Sequence, residues 1–160
     1  WKRKSPETRE RERIKKTEKM IQNRKARYEY EILQEYRAGM VLIGSEVKSI
    51  RNGDANINDA YCVVIDQEVF IRNMHIEHYK DSRFVHDVRR DRKLLLSKKE
   101  IKAITNMVVD KGITLIPLGV STTTSNIKIN IAVAKGKKLY DKRNSIKERD
   151  YKRSLQREHI

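Results

Sequence analysis

Ile113-Thr114-Leu115-Ile116-Pro117-Leu118-Gly119-Val120 and Ile127-Lys128-Ile129-Asn130-Ile131-Ala132-Val133 are the two runs that decide the fold. In the second, Ile127, Ile129, Ile131 and Val133 point one way and Lys128, Asn130, Ala132 and Ala134 the other, the two-residue period of a strand with one face in a core. Pro117 places the first strand at a sheet edge or interrupts it there. The polar stretch 121–126 joins the two. Just upstream, Ser97-Lys98-Lys99-Glu100 fits a capping box, Ile101, Ile104 and Val108 share one helical face, and Gly112 suits the exit.

Earlier still, the β-branched runs 61–65 and 69–71 flank Asp66-Gln67 and predict a hairpin. Residues 45–50 predict a short helix closed by Asn52-Gly53. Tyr28, Tyr30, Ile32 and Tyr36 alternate with Glu29, Glu31 and Glu35, with Leu33-Gln34 breaking the strictness, and predict a strand with one wet face. Several short strands with one well-capped helix indicate an antiparallel barrel or strongly curved sheet, a mainly β or α+β domain. Apolar periodicity stops near Ala134. This divides the chain into a charged extension (1–22, with a helix start at Ser5-Pro6-Glu7), a barrel (23–134) and a basic tail (135–160).

The net charge of +15 is concentrated at the ends. Residues 1–27 hold twelve Lys/Arg against four Glu, and residues 135–160 hold ten against four Asp/Glu, while the middle nets +1. Two cationic arms on a neutral globule suit a polyanion. Neither arm has the Leu/Phe/Trp face a membrane surface requires, so nucleic acid is the expected partner. From Ala134 to Arg143, Gly136, Lys137, Lys138, Tyr140, Lys142 and Arg143 read either as a phosphate-tracking arm with one stacking ring or as a solvated basic tail. Ser145-Ile146-Lys147-Glu148 is a second capping box. With only Ile146, Tyr151, Leu155 and Ile160 to pack, the tail should be disordered alone and helical against a charged partner. Inside the globule, the basic zone from Arg89 through Arg92 and Lys93 to Lys102 is either phosphate-binding or a solvated face.

Catalysis is not indicated. His75-Ile76-Glu77-His78 lacks a third ligand at a recognised spacing, and no nucleophile elbow, P-loop or dinucleotide fingerprint is present. Cys62 reads as a buried apolar side chain. Neither a cofactor nor a metal is expected.

Asn23-Arg24-Lys25-Ala26-Arg27-Tyr28-Glu29-Tyr30, Gly44-Ser45-Glu46-Val47-Lys48-Ser49-Ile50-Arg51, Arg92-Lys93-Leu94-Leu95-Leu96, residues 134–143 and Ile146-Lys147-Glu148-Arg149-Asp150 occur in this order. Through them the chain resembles the small protein B (SsrA-binding protein) family from about Asn23 onward. The resemblance implies an OB-like antiparallel β-barrel with peripheral helices and a flexible basic tail. It implies a non-enzymatic, monomeric partner of the tRNA-like domain of transfer-messenger RNA, acting in ribosome rescue by trans-translation. By position Asn23, Lys25, Tyr28, Leu95 and Lys128 match the family's RNA-binding part. Tyr140 matches the ring at the decoding centre, followed by Asp141-Lys142-Arg143. Gly136, Lys137, Lys138, Ile146, Lys147 and Arg149 fall in the tail that meets small-subunit rRNA in the mRNA channel.

Two departures stand out: Arg37-Ala38-Gly39 replaces the family's usual Glu-Ala-Gly, and Asp87-Val88 its usual Asp-Pro, so that the latter loop is expected to be less rigid. A ribosomal protein or translation factor with an OB fold that binds rRNA is the competing reading. The expected location is a bacterial cytoplasm, or a plastid stroma or mitochondrial matrix should the chain be an organellar homologue. The long charged start, Trp1 in place of Met and an Asn/Ile/Lys-rich composition point to that second option, against which Glu7, Glu10, Glu12 and Glu18 are unlike a transit peptide.

Overall fold

The structure, a computed structural model, describes residues 20–122 and 126–158. The expected helix start at Ser5-Pro6-Glu7, the middle of the 121–126 connection and Ile160 lie outside them. In chain order the elements are β1 (Met20–Gln22), α1 (Ala26–Glu29), β2 (Tyr30–Met40), α2 (Gly44–Asn52), β3 (Ala55–Asn56), β4 (Tyr61–Ile65), β5 (Glu68–Arg72) and β6 (His75–Ile76), followed by β7 (Arg92–Leu95), α3 (Lys98–Val108), β8 (Ile113–Thr122), β9 (Ile127–Gly136) and α4 (Leu139–Glu158).

The long strands β8 and β9 pair antiparallel from Ile113↔Lys135 to Thr122↔Ile127, and their pairing closes the sheet. β8 continues through β4, β5, β7 and β2 back to β9, so six strands form a ring, with β1 added outside β8. A short β3–β6 ribbon stands apart. Closure leaves none of the six with two open edges, the usual solution for a small β domain. The alternating residues Ile127, Ile129, Ile131 and Val133 all point into the core, where Val69, Ile71, Leu94 and Leu115 meet them. α3 caps it with Ile104, fully buried, and its capping box is complete: Ser97 Oγ accepts from the Glu100 amide at 3.3 Å and Glu100 Oε2 from the Ser97 amide at 2.8 Å.

Several local expectations resolve physically. Asp66 and Gln67 both adopt positive φ (49° and 61°), the geometry of a two-residue hairpin whose twist matches its strands. Pro117 interrupts β8: the register with β9 shifts between Pro117 and Gly119. The strand expected from Tyr28 begins only at Tyr30, because residues 26–29 form a helical turn that buries Ala26 on Ile116 and Ala134. Its broken alternation at Leu33-Gln34 is a bulge against β9. The second capping box is a correction. α4 starts at Leu139, so Ser145 lies inside the helix, where its Oγ accepts from Lys137 Nζ at 2.8 Å. The sheet also takes in Met20–Gln22 and continues to Gly136, slightly beyond the expected 23–134.

Candidate nucleic-acid interface

β2 and β9 lie side by side from Tyr30↔Gly136 to Gly39↔Lys128. Ala38, Ile129 and Ile131 face the core, so pleating turns their neighbours Arg37, Gly39, Lys128 and Asn130 outward. Gly39 opens this outer face. A Cβ built there would sit 3.4 Å from Leu95 Cβ and 3.6 Å from Lys128 Nζ, ordinary contact distances, so both residues lie directly over the strand at this position. Leu95 is 52% exposed although it lies in a strand next to fully buried Leu94. Across from it α2 contributes Val47 and Arg51, and the open cleft between them has a volume of about 320 Å³. The resemblance thus pointed to two residues, Leu95 and Lys128, that the fold brings together.

The other expected contacts lie elsewhere along the same outer surface. Asn23 braces the bulge of β8: its amide donates to Leu118 O at 2.9 Å and its Nδ2 to Pro117 O at 3.2 Å. Its Oδ1 is buried without a hydrogen bond. Lys25 is exposed. Tyr28 forms the wall of a second cavity, which Asn23, Arg27, Asn130 and Arg149 also line. The Arg149 guanidinium lies 5.5 Å from the Tyr28 ring centroid, a cation–π contact that ties α4 to α1.

The tail leaves from this end. Gly136 ends β9, and Lys137 Nζ donates to Arg27 O at 3.1 Å as well as to Ser145. Lys138, Arg143, Ile146, Lys147 and Arg149 are exposed and Lys142 is half-buried. Tyr140 and Asp141 occupy the first turn of α4, with side chains outside the described set. Ile146, Tyr151 and Leu155 remain exposed, so the helix is not packed into the barrel.

Arg92 is a correction. Expected as a phosphate contact, it is fully buried and bound to Glu46, itself fully buried. Glu46 Oε1 accepts from Arg92 Nε (3.0 Å) and Nη2 (2.9 Å) and from Arg90 Nε (2.8 Å), while its Oε2 accepts from Arg90 Nη2 (2.7 Å) and the Ile43 amide (3.1 Å). Burial alone would raise the Glu46 carboxyl, but these donors outweigh it and hold the group down at about 2. Arg92 further donates to Met74 O and Val88 O, and Asp87 accepts from the Arg89 amide at 3.0 Å. Lys93 is half-exposed and paired with Glu68 at 2.6 Å.

Sequence reasoning missed Glu46 as a structural hub and Arg51 as a cleft wall. The available signal was positional: Glu46, Ser49 and Ile50 fall on one helical face, which places a carboxylate on the apolar side of α2.

The histidines are structural in their surroundings. His86 is buried with Nε2 3.1 Å from Ile76 O, and His75 pairs with Glu77 at 3.1 Å. Burial pushes the Cys62 thiol upward, away from thiolate chemistry. Among the described residues no cluster of His, Cys, Asp and Glu could hold a metal, and no helix is long and apolar enough to cross a membrane.

Comparison with known proteins adds independent findings. A family model described as SmpB protein matches residues 20–160. An SsrA-binding protein of Gloeobacter violaceus is 49% identical over 139 residues, covering 86% of this chain and 91% of the relative. One from a Wolbachia of Drosophila simulans is 50% identical over 142 residues, covering 88% and 95%. Among solved structures, a chain from work described as "tmRNA-SmpB: a journey to the center of the bacterial ribosome" superposes with a TM-score of 0.63 at 38% identity, covering 75% of this chain and 85% of that one.

Proposed function

The chain belongs to the SmpB protein family, and from that membership we propose that it binds transfer-messenger RNA (SsrA RNA) and delivers it to stalled ribosomes in trans-translation. Its body stands in for a tRNA anticodon arm, and its tail occupies the empty mRNA channel of the small subunit. The observation that carries this reading is a spatial division on one pair of strands. The cleft at Gly39, Leu95 and Lys128 lies at one end of β2–β9, and the cationic helix leaves from the other, nine residues away. At about 3.3 Å per residue, that separation is roughly 30 Å. One protein can therefore hold a folded RNA at one end while its tail reaches into a second polyanionic groove.

The barrel contributes a rigid, charge-balanced platform that reads RNA by shape. The tail contributes Lys138, Arg143, Lys147 and Arg149 for phosphates, with Tyr140 placed at the decoding centre. Because its apolar residues find no core, a helix of this length is marginal in water, and ribosomal phosphates supply the missing stabilisation. Peptide transfer is the ribosome's chemistry, and no residue of this chain acts as acid, base or nucleophile. The protein works as a monomer within a ribonucleoprotein, in a compartment that holds bacterial-type ribosomes.

Sequencing the RNA that co-purifies with the protein from its native source tests the proposal. Transfer-messenger RNA should dominate over tRNA and fragments of rRNA. Recovery of rRNA alone would support a ribosomal protein and overturn the reading.

A further inference from the structure

Two contacts hold the start of the tail against α1, and in both a cation meets a neutral acceptor. At the first, Lys137 joins three elements: its amide donates to Glu29 O at 2.9 Å, and its Nζ donates to Arg27 O at 3.1 Å and to Ser145 Oγ at 2.8 Å. At the second, one helical turn beyond Ser145, the Arg149 guanidinium stands 5.5 Å from the centre of the Tyr28 ring. Positions 142, 145 and 149 share one face of a helix. Lys142 and Ser145 are the half-buried members of the described α4 side chains, so this is the face turned to α1. Tyr151 and Leu155 fall on the opposite face and stay exposed.

The docked face is therefore polar, which sets what can undo it. Arg149 lines the cavity at Tyr28 together with Arg24 and Arg27, and Glu35, the only carboxylate among the lining residues, is already paired with Arg27 at 2.8 Å. Docking thus crowds like charges around carbonyls and a ring. A phosphate oxygen is a stronger partner for a guanidinium than either, because the bond is assisted by charge on both sides.

We propose that α1 is a latch for the tail: in the free protein Lys137 and Arg149 hold the first half of α4 against Arg27 O and the Tyr28 ring, and a phosphate chain opens the latch by taking Arg149. Lys137 is then a positioning residue that sets where α4 leaves the barrel, and Arg149 has two partners that exclude each other. Such coupling is reciprocal. Whatever takes up Arg149 bares the Tyr28 ring, and whatever covers that ring frees the tail. A chain of net charge +15 in this way keeps part of its tail engaged until a phosphate-lined groove competes for it. The latch belongs to the free chain and does not depend on which RNA the protein carries.

Paramagnetic relaxation in the full chain tests the proposal. Asp150→Cys carries a nitroxide beside Arg149 on an exposed stretch of α4, and native Cys62 is buried and stays unlabelled. Without RNA, the amide signals of Ala26–Glu29 should be broadened. Tyr28→Leu, Arg149→Gln and Lys137→Met, each added to the labelled chain, should lower the ratio of latched to open tail about two- to fivefold, the size of one exposed cation–π contact or one hydrogen bond. Tyr28→Phe should keep the broadening because it keeps the ring, a rescue that general loosening of α1 would not show. Arg149 lies outside the barrel, so the effect of Arg149→Gln cannot come from barrel unfolding. Sodium polyphosphate, an anionic chain without bases, should abolish the broadening while the signals of β2 and β9 hold their positions.

An unbroadened α1 in the free chain would overturn the latch. So would a Tyr28→Phe protein as open as Tyr28→Leu, or broadening that polyphosphate leaves in place or strengthens.

Discussion

Replacing Glu46 by Gln should be among the most damaging single changes outside the apolar core. The carboxylate is fully buried, accepts five hydrogen bonds and balances Arg92, which is equally buried. A glutamine keeps the volume but turns a charged acceptor into an amide, leaving the Arg92 cation without a counter-charge in a low-dielectric site. Breaking one member of such a pair costs about 3–5 kcal/mol, a large share of the ~5–15 kcal/mol that holds a typical domain together.

Its pH dependence gives a second, independent handle. The Glu46 carboxyl falls from its ordinary 4.5 to about 2 in the folded protein, which corresponds to about 3 kcal/mol of stabilisation. A depressed acid stabilises above its unfolded pKa and loses that contribution as pH drops through the folded value. The wild type should therefore lose about 3 kcal/mol between pH 5 and pH 2 that Glu46→Gln, with nothing to titrate there, does not lose. Exposed carboxylates titrate in both proteins and cancel in the difference.

Urea unfolding followed by far-ultraviolet circular dichroism, repeated every half pH unit, measures both effects. The midpoint should change while the m-value stays fixed. A companion variant, Glu46→Leu with Arg92→Met, removes both buried charges and should recover much of the loss, since well-packed apolar groups replace such pairs at little cost. Parallel pH profiles for wild type and Glu46→Gln, or a Glu46→Gln midpoint within about 1 kcal/mol of wild type at pH 7, would refute the reasoning.

Lys128→Ala should weaken transfer-messenger RNA binding by about 1 kcal/mol and flatten its salt dependence; unchanged affinity would remove Lys128 from the interface. Tyr140→Ala, or truncation after Asp141, should leave RNA binding largely intact yet stop peptide tagging in a reconstituted translation assay. Loss of RNA binding on truncation would contradict the spatial division of roles between barrel and tail. Gly53→Ala should cost about 1 kcal/mol in urea unfolding, because Gly53 ends α2 at φ 86° with nothing nearby to clash, so backbone strain alone is measured.

The barrel was legible because its information is local. The two-residue period of 127–134, the residues around Asp66-Gln67 and the Ser97–Glu100 box each specify an element without knowledge of the rest. Ring closure is a different matter, since it depends on β8 meeting both β4 and β9, a pairing that periodicity does not encode. The four-residue turn at Ala26–Glu29 was hidden for a related reason. Its alternating tyrosines mimic a strand, and what overrides them is the docking of Ala26 on Ile116 and Ala134 from distant parts of the chain. Arg92 shows the same limit at the level of function. In sequence it belongs to a basic run with Arg89, Arg90 and Lys93, and only the positions of Glu46 and Glu68 in space divide that run into a buried guanidinium, a half-buried partner and a half-exposed lysine.

That division bears on how a chain of net charge +15 can recognise one RNA and not adhere to all of them. Charge supplies affinity without sequence information, so selectivity has to come from where cations are left unneutralised. On the barrel, acidic partners hold Arg27, Arg72, Arg90, Arg92 and Lys93. Arg37, Arg51 and Lys128, among other cations of the barrel, have no ion pair among the described residues, and Arg51 and Lys128 flank the cleft beneath exposed Leu95. Arg37 lies two residues along β2 from Gly39, opposite Asn130. The apolar cleft floor and the cations set around it by β9 and α2 then supply a shape as well as a charge for a partner to match.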